Sequence, residues 1–157
     1  MVTGDDLREA MRRFPTGVAI VTVAIEEMEL GLTVGSLVSV SLEPPLVSIA
    51  IGVHTPLHEP LREAGAFAAS LLADDQERLA QHFARNPPPI AAWVGIETRP
   101  SEAGPLLEGA LAWLECRVAA EYPAGDHTLF LGEVKRIEAG RPGRALAYRE
   151  RRYVPVD

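Results

Sequence analysis

From Gly31 to Val47 the chain reads Gly-Leu-Thr-Val-Gly-Ser-Leu-Val-Ser-Val-Ser-Leu-Glu-Pro-Pro-Leu-Val, a run in which glycines and hydroxyls gather. Backbone N–H groups and hydroxyls beside glycine can bind a phosphate without a Walker-type loop. Gly31 and Gly35 permit close backbone approach. The hydroxyls keep no single strand parity, because Thr33, Ser39 and Ser41 share one face and Ser36 falls on the other. An exposed strand face carrying Ser and Thr as filler therefore stays open as an alternative. His54 and His58 are four apart, as two metal ligands on one helix face would be, but Pro56 lies between them and no HExxH surrounds them. No metal site is expected. Cys116 points inward by parity and reads as a small core residue rather than a nucleophile. GxGxxG after a strand, GxxxxGK(S/T), GxSxG and CxxC are all missing. Hydrolase and metalloenzyme chemistry are thus disfavoured.

The elements that must hold these groups fit one domain spanning 1–157. With 47% hydrophobic and 24% charged residues, the composition is that of a soluble globular protein. Fifteen Lys and Arg against 22 Asp and Glu give a net charge of −7, which argues against phosphate-neutralising nucleic-acid binding. A single cysteine implies a reducing compartment. The apolar stretches are too short to span a bilayer, and the charged first 16 residues do not read as a signal peptide. A soluble, cytoplasmic protein without a membrane partner is expected.

Asp5 or Asp6 would cap a first helix with Leu7, Met11 and Phe14 on one stripe. Val18–Val23 reads as a strand, Glu26–Glu29 as a hairpin tip, and Leu32–Leu42 and Leu46–Ile51 as further strands. A short helix near 58–63, a strand over 67–72 and a helix opened by Asp74 and Glu77 follow. Ile90–Pro105 reads as a long loop with some order at Trp93. Leu114, Cys116 and Val118 alternate with Glu115 and Arg117 in a half-buried strand. Its partner is Thr128–Ile137, where Gly132 predicts a bulge or a close approach by a ligand or another backbone. A last strand lies near Leu146–Tyr148. Six or seven strands with two or three short helices predict a mainly β fold, a small barrel with helical decoration.

Phe14-Pro15-Thr16-Gly17-Val18-Ala19-Ile20-Val21-Thr22 and the Gly31–Val47 run resemble the flavin reductase family of FMN-binding split barrels, which includes the reductase components of two-component monooxygenases. Leu71-Leu72 through Arg85, Gly104–Leu107 through Cys116, Gly125–Val134, and Leu146–Arg149 with Arg152-Tyr153 fit in the same order. The resemblance covers nearly the whole chain. It implies an antiparallel split β-barrel that binds FMN, or FAD, and takes a hydride from NADH or NADPH. It also implies a homodimer, and a separate monooxygenase that receives the reduced flavin. By position it places Thr33, Val34, Gly35 and Ser36 beside the flavin and Ser39 near its polar end. Ile51, Gly52 and Thr55 would add backbone and hydroxyl contacts, with Phe83 nearby. Arg85 would pair with the phosphate, though a solvated helix-end cation is its plainer reading. His127 would line the nicotinamide side as the catalytic position. Many members have Asn where this chain has Gly35 and Ser70, which implies altered flavin contacts. An FMN-binding electron carrier or sensor on the same barrel, and a barrel serving only for interaction, are the alternatives.

Overall fold

Residues 1–157 are all described by the computed structural model. Its frame is a seven-stranded antiparallel sheet made of β2 (Ala19–Ile25), β3 (Met28–Val34), β4 (Val38–Leu42), β5 (Pro45–Gly52), β6 (Ala66–Leu71), β9 (Ala112–Ala124) and β10 (His127–Ala139). The spatial order is β3-β2-β6-β9-β10-β5-β4. β-Branched and aromatic residues on alternate positions build the inner face, so Val47, Ile49 and Ile51 of β5 are buried while Ser48 and Ala50 between them are less so. Val21, Val23, Phe67 and Phe130 meet them in one apolar cluster. Each such side chain contributes roughly 1.5–3 kcal/mol by leaving water.

The predicted strand over Leu32–Leu42 is broken at Gly35–Leu37, where the chain passes from β3 at one edge of the sheet to β4 at the other. Ser36 fastens this crossing: its hydroxyl donates to Ala50 O at 3.2 Å and accepts from Ala50 N–H at 3.0 Å. Gly132 meets the expectation of a bulge, while what approaches it closely is a side chain rather than a ligand or another backbone. The β9–β10 register shifts between Leu131 and Gly132, and a Cβ at 132 would lie 2.7 Å from the Phe67 ring.

A second sheet joins β1 (Thr16–Gly17), β11 (Ala145–Arg149) and β12 (Arg152–Val156), with β7 (Thr98–Arg99) and β8 (Leu106–Leu107) forming a third pair. Four α-helices are present rather than two or three: α1 (Gly4–Met11), α2 (His58–Ala64), α3 (Glu77–Ala84) and α4 (Pro89–Ala92). α4 and β7 fall in the stretch that reads as a loop, because elements of two to four residues carry no periodicity. Thr3, not Asp5 or Asp6, caps α1: its hydroxyl accepts from Asp6 N–H while the Asp6 carboxylate accepts from Thr3 N–H. Leu7, Met11 and Phe14 do not pack inward but are 59%, 50% and 63% exposed, since α1 lies outside the barrel and buries nothing. A 3-10 turn over Asp74–Gln76 precedes α3, and Gln76 rather than Asp74 satisfies the start, its side-chain oxygen accepting from Ala73 N–H.

No helix is long and apolar enough to cross a membrane.

Candidate functional site

The end of β3 meets β1, the end of α3 and the C-terminal hairpin around a cleft of about 200 Å³ lined by Thr16, Thr33, Val34, Gly35, Ala84, Tyr148 and Tyr153, among others. β1 pairs with β11, which sets Thr16 opposite Tyr148. β11 returns through Glu150-Arg151 into β12, so Tyr148 and Tyr153 are cross-strand partners with ring centroids 4.9 Å apart. Desolvation by the fold raises the Tyr153 phenol pKa, with the neighbouring Tyr148 and Glu77 adding to it. The Tyr153 ring is thus held in its neutral form. Gly35 is required by crowding, for a Cβ there would sit 2.7 Å from Thr16 Oγ1. An asparagine at this position would have to displace Thr16, so glycine here sets the shape of the cleft as well as removing an amide.

Beyond Ala84 the cleft opens into a groove of about 370 Å³ that reaches Arg85, Arg151 and Arg152. None of these three guanidiniums forms an ion pair, whereas Arg12, Arg62, Arg99, Arg117, Arg141 and Arg144 are each held by carboxylates. In a chain of net charge −7, this leaves uncompensated positive charge along a groove that Glu77 also lines.

The hydroxyls expected to contact a cofactor have partners within the protein. Thr33 Oγ1 donates to Ala80 O at 2.6 Å, tying β3 to α3, and Thr55 Oγ1 donates to Gly52 O at 2.8 Å. Ser36 is engaged with Ala50 as described above. These three shape the wall, and Thr33 also lines the cleft. Ile51 is fully buried, so only its backbone is available, and that backbone pairs with Thr128. Gly52, Thr55 and His127 stand together: a Cβ on Gly52 would come 3.3 Å from Thr55 Cγ2 and 3.8 Å from His127 Nε2. His127 Nδ1 lies 2.7 Å from Asp126 Oδ1, which leaves Nε2 as its outward polar atom. That hydrogen bond, followed by the imidazole's charge, lowers the pKa of the Asp126 carboxyl. The Ser36–Ala50 bonds join this group to the cleft, because Ser36 follows Gly35 and Ala50 precedes Ile51 and Gly52.

Three of the expected positions do not line this cleft. Phe83 is fully buried, packed 5.0 Å from Trp93 between centroids, and anchors α3. Ser39 is exposed on the edge strand β4 and is not among the residues lining the cleft. Ser70 is 1% exposed and accepts from Leu107 N–H, so the Asn-to-Ser departure there concerns the core and not flavin contacts. Tyr148, Tyr153, Arg151 and Thr16 escaped sequence reasoning as site residues. The available signal was the spacing of Tyr148 and Tyr153 around a two-residue turn, which makes them face each other.

His58 and His54 do not form a metal pair: His58 is buried, with Nε2 2.8 Å from Thr128 Oγ1 and Nδ1 against Glu59. Burial, with Glu115 beside it, pushes the Cys116 thiol up to about 12, so it stays protonated and unreactive.

Residues 11–157 match the flavin reductase-like domain family. The reductase component of a 4-hydroxyphenylacetate 3-monooxygenase from Thermus thermophilus is 40% identical over 146 residues, covering 93% of this chain and 92% of its own. An NADH-dependent flavin reductase from Rhodococcus is 42% identical over 87% of this chain and 77% of its own. The structure of an NADH:FAD oxidoreductase from Streptomyces globisporus superposes with a TM-score of 0.92 at 36% identity, over 100% of this chain and 97% of that one.

Proposed function

This chain belongs to the flavin reductase family, and from that premise we propose that it is an NADH-dependent flavin reductase whose cleft at Thr33–Gly35 receives the flavin and whose Arg85 receives its phosphate. The observation that carries this reading is the pairing of a tyrosine-walled cleft with an unpaired arginine at its mouth. A flat ring system with an anionic tail needs both. When bound, the flavin supplies the hydride chemistry by accepting from the nicotinamide. The protein's own work is positional. Thr16, Gly35 and the two tyrosines set the width of the cleft. Arg85 anchors the tail, and His127, oriented through Nδ1 by Asp126, presents Nε2 beside Gly52 toward a second ring. This division explains why the chain encodes no conspicuous acid–base cluster.

The reduced flavin passes to a separate oxygenase, as the name of the Thermus relative supports. A homodimer is supported by β4, an edge strand whose Val38, Val40 and Leu42 are 55%, 52% and 88% exposed. Native edges are rarely left so apolar unless another surface covers them.

Purified protein mixed with NADH and FMN or FAD tests the function. Steady NADH consumption that depends on added flavin is expected. A chain that holds flavin but leaves both NADH and NADPH untouched would instead be an electron carrier. Sedimentation of wild type against Val40→Asp tests the dimer, with only the variant expected to run as a monomer.

A further inference from the structure

The hairpin tip that carries His127 stands clear of the barrel. From Glu121 near the end of β9, through the turn, to His127 every residue is exposed, and Thr128 is the first buried side chain behind that tip. One helix holds both of its strands. His58, the first residue of α2, is 6% exposed and sets Nε2 2.8 Å from the Thr128 hydroxyl on β10. Arg62, one helical turn later, donates from Nε to Glu121 Oε1 on β9 at 2.8 Å. The Glu59 carboxylate joins the two, accepting from Arg62 Nη1 at 3.0 Å and lying against His58 Nδ1. The hydrogen bond from His58, ahead of the Arg62 charge, keeps the Glu59 carboxyl below the usual carboxylate range, so it is ionised and only accepts. His58 Nδ1 therefore carries the ring proton, and Nε2 accepts from Thr128 O–H, which has no other polar partner. The imidazole stands edge-on to the buried Phe130 ring, 5.7 Å between centroids. A leucine and a valine would fill these two positions at little cost in stability. What the polar pair adds is direction.

We propose that His58 is a positioning residue for the nicotinamide: buried away from any ligand, it fixes Thr128 and thereby the neighbouring His127. The inference rests on the reading that His127 lines the nicotinamide side. His127 has no side-chain hold on the barrel, since its Nδ1 partner, Asp126, belongs to the same exposed tip. In the β10–β5 register His127 faces Gly52 and Thr128 faces Ile51, so a shift of the strand at Thr128 carries His127 Nε2 away from Gly52. A backbone bond from Val53 N–H to Asp126 O, at 3.0 Å, also ties the tip down, but it joins two exposed residues, where water competes for it. The His58–Thr128 bond is shielded from that competition.

Steady-state kinetics, FMN titration, amide hydrogen exchange and thermal melting of His58→Leu/Thr128→Val, alone and combined with His127→Ala, test the assignment. The apolar pair is expected to melt near the wild-type temperature and to exchange the amides of residues 121–128 faster. Its KM for NADH should rise about threefold while the FMN dissociation constant stays within about twofold. His58→Gln, whose Oε1 can still accept from Thr128, should return KM to the wild-type value. If the apolar pair does not fold, Thr128→Val against Thr128→Ser gives the same contrast, with and without the hydroxyl. Combined with His127→Ala, the apolar pair should raise KM no further than His127→Ala alone, because a residue that acts through another does not add to its loss. A merely structural pair would instead lower Tm and leave KM, or add its effect to that of His127→Ala. Either result, or an equal loss of FMN affinity, would overturn the positioning role and leave the reductase reading standing. A wild-type chain that oxidises no nicotinamide with flavin present would remove both.

Discussion

The two sides of the cleft are built on opposite principles. On the barrel side, Thr33, Ser36 and Thr55 have each given their hydroxyls to a protein carbonyl, and Gly132 lies tight under Phe67. On the hairpin side, Arg85, Arg151 and Arg152 are left without partners around open space. On the proposed reading, the wall fixes where a ring sits and the rim supplies charge for what hangs from it. Residues of the first kind should answer to stability measurements and those of the second to binding.

The largest effect is expected in the packed barrel interior behind the wall. Gly132→Val drives a branched side chain into Phe67 and Cys116 Cβ, already 2.7 and 3.1 Å from a single Cβ. Overpacking of this kind costs about 1–3 kcal/mol or more, so thermal unfolding should show a clear drop in Tm. Arg85→Ala should do the reverse, with Tm unchanged and flavin binding about tenfold weaker or more, equivalent to roughly 1.5–3 kcal/mol for a charged contact. An unaltered flavin titration would place Arg85 among ordinary helix-end cations. Thr33→Val removes the bond to Ala80 O and should cost about 1 kcal/mol in denaturant unfolding while flavin affinity moves less than about twofold. A large loss of flavin affinity there would break the division between wall and rim. The smallest effect is expected for His127→Ala: KM for NADH a few-fold higher, with flavin affinity and kcat near wild type, read from steady-state kinetics. Wild-type constants in that variant would exclude His127 from the nicotinamide side.

The barrel was legible because β-branched runs and clean alternation, as at Val47–Ile51 and Leu114–Val118, leave a period that survives folding. Gly132 was legible for the same reason, as a glycine interrupting such a period. The site was less so. A hydroxyl in a sequence does not disclose which carbonyl will take its proton, so neither the Thr33 bond to Ala80 O nor the Ser36 bond to Ala50 O across the Gly35–Leu37 crossing could be read from it. Phe83 and Arg85 entered together from one block, but α3 and its end turn them to different faces, burying one and exposing the other. The tyrosine walls and the distal arginines depend on a hairpin folding back over residues 130 positions away in the chain, a separation that no local pattern encodes.

The first helix, which contributes nothing to the core, nonetheless governs the rim. The peptide groups that follow it, at Arg12 and Arg13, receive hydrogen bonds from Glu150 and Arg149, and the Arg12 guanidinium stands 3.7 Å from the Glu150 carboxylate. Anything that lifts Gly4–Met11 off the surface would let the turn sag and misdirect the cations it carries. The amino-terminal residues thus act as a tuning peg for the opposite end of the polypeptide.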